Sequence, residues 1–241
     1  MRIFAISDLH LALGADKPMD IFGGRWSNYM DKLKSGWEET VTSKDIVIMP
    51  GDISWATYLD QSADDFRFIE ELPGKKIISK GNHDYWWSTM AKLNQFLERN
   101  GFQTINFMHN NCFSIGNYAI CGSRGWECPG GEDFSAMDLK IYNRELQRLE
   151  LSLKSAVKNA GGDSEIIAAL HFPPFDQKGR ASGFVEIMKR YGVKKCVYGH
   201  LHGESLKYGL EGVIEDIEFM LVSADHIDFR PLLICSAEVD E

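Results

Sequence analysis

The chain has 241 residues, of which 44% are hydrophobic and 25% charged, ordinary globular usage that supports a sizeable packed core. Its net charge of −9 argues against a surface built to grip a duplex phosphate backbone. That charge does not exclude a small anionic substrate, because bound cations invert the charge of a single pocket inside an acidic protein.

The predicted elements alternate along the chain. A strand over residues 2–7 is followed by a helix over 28–41, where Met30, Leu33, Trp37 and Val41 recur at helical spacing. A strand over 45–49 precedes a helix over 62–72, with Ser62 as N-cap and Gly74 soon after its end. A strand over 75–79 leads to a helix over 88–100, capped by Ser88 and closed by Gly101. Segments 112–115 and 118–121 flank Gly116-Asn117, a Gly-first pair suited to a two-residue hairpin turn. The longest predicted helix covers 137–160, with a stripe of Leu146, Leu149, Leu153 and Val157 ended by Gly161-Gly162. Strands over 165–170 and 194–198 follow. Segments 205–210, 217–223 and 231–235 read as successive antiparallel strands without helices.

The alternating part wants a mostly parallel sheet, while the hairpin and tail want antiparallel strands. Two stacked mixed sheets with helices outside, a four-layer α-β-β-α sandwich of the α/β class, satisfy both. No Pro/Ser-rich linker or charge run divides the chain, so residues 1–241 are expected to form one domain. No apolar stretch is long enough to span a bilayer, and the N-terminal run is too short and too soon polar for a secretory signal. The five cysteines are spread out with no Cys-x-x-Cys pair and read as reduced thiols. A cytoplasmic location is the expectation.

The chemistry lies where the predicted strands end. The first runs into Asp8-Leu9-His10, the second into Gly51-Asp52 and the third into Gly81-Asn82-His83-Asp84. The fourth ends at His171 and the fifth at Gly199-His200-Leu201-His202. In layered α/β proteins, ligands collect at the carboxyl ends of strands, so five such loops converge on one crevice. Carboxylate oxygen, imidazole nitrogen and one amide oxygen suit a pair of divalent metals. If the backbone is extended, Asp-x-His and His-x-His each put both side chains on one side. The glycines before Asp52, Asn82 and His200 let the chain turn sharply and approach the metals. Each motif alone has a bland reading, but the ordered set after five strands does not.

These motifs, spanning Asp8 to His202, resemble the calcineurin-like metallophosphoesterase superfamily, in particular its small bacterial-type phosphohydrolases. The resemblance implies that Asp8, His10, Asp52 and His202 hold one divalent ion, and Asp52, Asn82, His171 and His200 a second. Manganese, iron or zinc would fill both positions, with Asp52 bridging. A hydroxide shared between cations about 3.5–4 Å apart would attack phosphorus in line. Asn82 would help position the phosphate, His83 would assist the leaving group, and Asp84 would orient His83, as a carboxylate–histidine pair does.

One departure narrows the substrate. The phosphoprotein phosphatases of the superfamily follow Gly-Asp with a phosphate-contacting arginine, whereas Gly51-Asp52 continues Ile53-Ser54-Trp55. Arg124 and Arg180 are either replacement clamps or solvated surface residues. Trp55, Tyr85-Trp86-Trp87 and Trp126 either stack on a base or aryl group or pack beneath the site. His109 and His226 match no motif and read as structural. A small phosphoester, with a diester or nucleotide slightly favoured over a monoester, is the expected substrate. Two other readings remain: a scaffold of the same fold without catalysis, which predicts eroded ligands, and a nuclease acting on DNA ends, which predicts basic stripes.

Overall fold

In a computed structural model of the protein, described over residues 1–17, 19–159 and 164–238, the first half of the chain alternates strand and helix. β1 (Arg2–Ala5), α1 (Tyr29–Thr40), β2 (Ile46–Pro50), α2 (Ala63–Glu71), β3 (Lys75–Ser79), α3 (Met90–Asn100) and β4 (Ile105–Phe107) follow in turn. Each strand lies parallel to the one before it, as helical crossovers require. A hairpin of β5 (Phe113–Ile115) and β6 (Tyr118–Ser123) then opens a second sheet. α4 (Ala136–Asn159), β7 (Glu165–Leu170), α5 (Gly183–Arg190) and β8 (Lys195–Tyr198) extend it in parallel, and β9 (Gly212–Ile214) and β10 (Ile217–Leu221) complete it. β11 (Leu232–Ser236) returns to pair antiparallel with β1. The sheets have five strands, in the order β11-β1-β2-β3-β4, and six, in the order β5-β6-β7-β8-β10-β9.

Strand alternation explains the layering. Ile3, Ile46, Ile48 and Ile77 of the first sheet meet Ile120, Ile167, Ala169 and Val197 of the second. Phe4, Val47, Met49 and Ile78 point the other way, onto Leu33 and Trp37 of α1, Phe66 of α2 and Phe96 of α3. Ala119, Cys121, Ala168 and Leu170 likewise face Leu149 and Leu153 of α4 and Phe184 and Met188 of α5. The central strands are therefore buried on both faces and read as continuous apolar runs. Among the described residues no helix is long and apolar enough to cross a membrane.

Several local expectations are corrected. Ser62 does not cap α2: its hydroxyl donates to the Leu59 carbonyl at 2.7 Å, and a 3-10 turn feeds the helix instead. Thr89 rather than Ser88 caps α3, while Gly101 closes it in the left-handed conformation expected. Val157 is exposed, and the buried stripe of α4 is Tyr142, Glu145, Leu149, Ser152, Leu153 and Ala156. The predicted end of that helix, Ala160 with Gly161-Gly162, lies outside the described residues. Residues 205–210 are not a strand: Ser205 both accepts from the His202 N–H and donates to its carbonyl, closing a 3-10 turn over Gly203–Tyr208. β10 is already paired on both edges, by β8 and β9, so that segment has no sheet edge to join. Nor do the last strands form one antiparallel set, since β10 is parallel to β8 and β11 belongs to the other sheet. The short β4 and β9, and α5 behind its Ser182 cap, were not visible in the sequence pattern.

β3 also buries a lysine. The Lys76 ammonium meets the Leu72 and Glu70 carbonyls and the Thr104 hydroxyl, at the end of α2. Burial lowers its pKa from 10.5 to about 8. Between those two values the unfolded chain binds more protons than the folded one, so this group makes stability rise with pH across that window. Urea unfolding of the parent and Lys76→Met at several pH values checks this. The stability difference should move in the parent's favour as pH climbs from 8 towards 10.5, and a flat difference would contradict it.

Candidate metal centre

The two sheets converge at the carboxyl ends of their strands. An isolated bridge joins Ser7, just past β1, to Ser223, just past β10. The Gly199 N–H donates to the His171 carbonyl at 3.1 Å, and the Asp8 N–H to the Gly51 carbonyl at 3.1 Å. These cross-links bring the five predicted loops to one place.

The local backbone differs from the extended form expected of Asp-x-His and His-x-His. Asp8, His10, Asp52 and His200 have φ of 56°, 48°, 52° and 72°. Non-glycine residues seldom adopt this left-handed region, and such strain gathers at functional sites where the surrounding packing enforces it. In three of the five loops the side chains converge because the backbone turns at the chemistry-bearing residue, not because a strand alternates. The glycines also differ in purpose. Gly51 turns, with φ of +90°, whereas Gly81 and Gly199 give clearance: an added Cβ would sit 2.1 Å from Asp52 Oδ1 and 2.4 Å from Asp8 Oδ2, respectively.

Asp52 lies at the middle of the donor cluster. Its Oδ2 is 3.9 Å from His10 Nε2 on one side and 3.4 Å from His171 Nε2 on the other. Donor atoms of Asp8, His10 and Asp52 all lie within 4.8 Å of one another. On the far side, Asn82 Oδ1 is 2.6 Å from His171 Nε2 and 3.0 Å from His200 Nδ1. The His202 ring meets the His10 ring edge-on at 5.3 Å. The Asp8 carboxylate is held by Ser7 Oγ at 2.5 Å, Ser223 Oγ at 3.0 Å and the His200 N–H at 2.9 Å. Neither serine was singled out from the sequence; position at a strand end was the only signal for Ser223.

The donor set fits divalent cations. Both ring nitrogens of His10 are buried without a hydrogen-bond partner, an arrangement that a protein interior rarely leaves uncompensated. Burial lowers the pKa of His10 and of His200 to about 3, which keeps both rings in the neutral, ligating form. Burial opposes charge on His171 too, but the Asp52 and Asp8 carboxylates outweigh it and raise its pKa to about 9. The cluster thus demands positive charge, which a proton on His171 meets when no cation does. With His171 Nδ1 2.9 Å from the Pro50 carbonyl, its Nε2 is the nitrogen left to face Asn82 and Asp52.

Asp84 departs from the role expected of it. Its buried carboxylate accepts from the N–H groups of Gly81, Asp52 and Ile53 at 2.7, 2.9 and 2.9 Å, and from Trp86 Nε1 at 3.0 Å. It makes no bond to His83, because these main-chain donors and the indole occupy its oxygens. Asp84 therefore fastens the loop of Asp52 to the loop of Asn82. Burial and the nearby Asp52 charge raise its pKa to about 6. His83 donates its main-chain N–H to Asp52 Oδ1 at 2.8 Å, while its ring Nδ1 is buried and unpartnered. Burial, opposed by Asp52, lowers the His83 pKa.

The two candidate arginine clamps point elsewhere. Arg124 reaches Glu145 on α4 at 3.3 Å, and Arg180 forms a local pair with Asp176 at 2.6 Å. Neither side chain is paired with the clustered donors. The aromatics are mostly packing. Trp55 stacks on His10 at 4.7 Å and leans on His83 at 4.5 Å, and Trp86 is buried against Phe66. Trp126 is covered by Arg124 at 4.4 Å and Phe172 at 5.0 Å, and donates to Asp138. His226 pairs with Glu211 and His109 lies against Trp87, both away from the cluster.

Comparison with known proteins agrees with this fold. The chain resembles a protein of unknown function from Aquifex aeolicus, with 16% identity, a TM-score of 0.51 and coverage of 96% and 95% of the two chains. It also resembles the phosphopantetheinyl hydrolase of Mycobacterium tuberculosis, with 14% identity, a TM-score of 0.52 and coverage of 92% and 88%. At such identities the likeness speaks for the fold alone. No curated protein matches the chain in sequence. The family model for calcineurin-like phosphoesterases matches residues 1–204, which include all five loops, and the chain belongs to that family.

Proposed function

We propose that this protein hydrolyses phosphoesters with two divalent cations, one held by Asp8, His10, Asp52 and His202 and the other by Asp52, Asn82, His171 and His200. The position of Asp52 carries the reading, because its Oδ2 lies between His10 and His171, within 3.9 and 3.4 Å of their Nε2 atoms. When bound, such a pair of cations lowers the pKa of water and neutralises phosphate oxygens. The protein's own groups do the rest. Asn82 presents its amide to the same crevice, and Trp55 holds the His10 ring flat. His83 offers an imidazole with no internal partner as the acid for the departing oxygen.

The substrate proposed is a phosphodiester or nucleotide ahead of a small monoester. With the Arg124 and Arg180 side chains paired to Glu145 and Asp176, neither is placed to clamp a terminal dianionic phosphate at the metals. A cleft of about 780 Å³ begins at His200 and runs between Phe172, Leu201, Tyr208 and Leu210, space for the organic part of an ester. The test compares kcat/KM for bis-p-nitrophenyl phosphate and p-nitrophenyl phosphate with manganese and one enzyme preparation. The diester is expected to be favoured. A monoester preference of roughly a hundredfold, near 3 kcal/mol in transition-state binding, would overturn the substrate preference and leave the metal assignment standing.

A further inference from the structure

A second polar pocket lies on the same carboxyl-end rim, at the ends of β3, β4 and β6, and none of the clustered donors lines it. Its volume is about 280 Å³, and Lys80, His109, Arg124, Glu145 and Arg148 line it with Trp87. Arg124 and Arg148 share a single oxygen of the buried Glu145, at 3.3 and 2.7 Å. Lys80 makes no hydrogen bond or ion pair with any described residue, and Arg124 Nε is buried without a partner. Three cationic side chains thus line the pocket with one carboxylate between them. Glu145 Oε2 is likewise buried without a partner, so one donor and one acceptor are left over, and the Lys80 ammonium gives the pocket its excess of positive charge.

We infer that this pocket binds a phosphate-class oxyanion, a site separate from the metal centre. The excess of positive over negative side chains matches the charge of a phosphate group near neutral pH. An ammonium and two guanidinium groups, with the Ser88 and Thr89 side chains on the rim, supply donors from several directions, as a tetrahedral oxyanion requires. The volume takes a phosphate group and a short substituent, and is small for a nucleotide. Occupancy is linked to the metal centre through the backbone: Lys80 precedes Gly81-Asn82, and the Arg124 carbonyl accepts the N–H groups of both His171 and Phe172. The bound group is either a second phosphate on the substrate or free inorganic phosphate.

Calorimetric titration of inorganic phosphate into the metal-loaded protein tests the site. The parent should bind a second phosphate beyond the one at the metals, and Lys80→Met/Arg148→Gln should weaken that second event roughly tenfold or more. A single binding event in the parent, or two unchanged events in the variant, would overturn the proposal and leave the metal centre untouched. Tungstate soaked into parent crystals provides a check that needs no variant: an anomalous peak between Lys80 and Arg124 supports the site, and its absence there contradicts it. If the group is a second substrate phosphate, the variant should raise KM for 1,3-propanediol bisphosphate but not for propyl phosphate. If it is free phosphate, neither KM should change while the calorimetric loss remains.

Discussion

Asp52→Ala will purify as a folded protein that has lost its metal. The substitution removes the one carboxylate whose oxygen lies between His10 and His171, so both ions lose a ligand together. Changes to groups that merely support ligands cost roughly 10–100-fold in metal affinity, and removing a shared ligand will cost at least as much. The surrounding loops should survive. Asp84 still gathers the N–H groups of Gly81, residue 52 and Ile53, all main-chain donors that the substitution leaves in place. The His83 N–H loses its acceptor, and His171 Nε2 loses its carboxylate neighbour but keeps Asn82 Oδ1. Elemental analysis of protein purified without chelator, with circular dichroism as the control for folding, reads the result. The parent should carry two divalent ions per chain and the variant almost none, with phosphoesterase activity falling alongside. A variant that keeps both ions would refute the bridging position of Asp52, and with it the whole ligand assignment.

The donor set was legible because it depends on residue type and strand end, both of which a sequence displays. An apolar run that stops at an aspartate or histidine marks a loop whose side chain faces the crevice, whatever the details of the turn. The turn itself was not legible. Asp8, His10, Asp52 and His200 adopt left-handed backbone, which Asp and His enter more readily than most residues but still seldom, and here bonds to loops far along the chain impose it. Side-chain partners were hidden for the same reason. Asp84 stands beside His83 in sequence, yet it bonds to residues 52 and 53 on another loop and to the indole two positions on. Arg124 answers to Glu145 across the sheet, which only the packing of α4 reveals. Arg180 is different: Asp176 lies four residues earlier, and that turn pair was open to a local reading. In the fold, continuous apolar runs marked the central strands, while the three-residue edge strands β4 and β9 carry too few residues to show a period.

His83→Ala separates chemistry from binding. The substitution leaves the main-chain N–H that holds Asp52 Oδ1, so the Asp52 carboxylate keeps its orientation. It breaks no side-chain hydrogen bond at Nδ1, since that nitrogen has no internal partner, and Asp84 is engaged elsewhere. What it removes is an imidazole beside Trp55, close enough to the crevice to meet a leaving group. Metal content and melting temperature are therefore expected to stay near the parent's, while turnover of an alkyl phosphoester falls by roughly 10²–10⁴-fold, the range for general acid–base groups. Aryl esters with activated leaving groups need little protonation, so the same variant should lose less on bis-p-nitrophenyl phosphate than on the alkyl ester. The contrast between these two substrates, measured on protein with verified metal content, is the discriminating readout. Equal losses on both would mean that the ring positions phosphate and donates no proton. Parental turnover of the alkyl ester would remove His83 from the reaction, and loss of metal comparable to Asp52→Ala would make it a support of the centre.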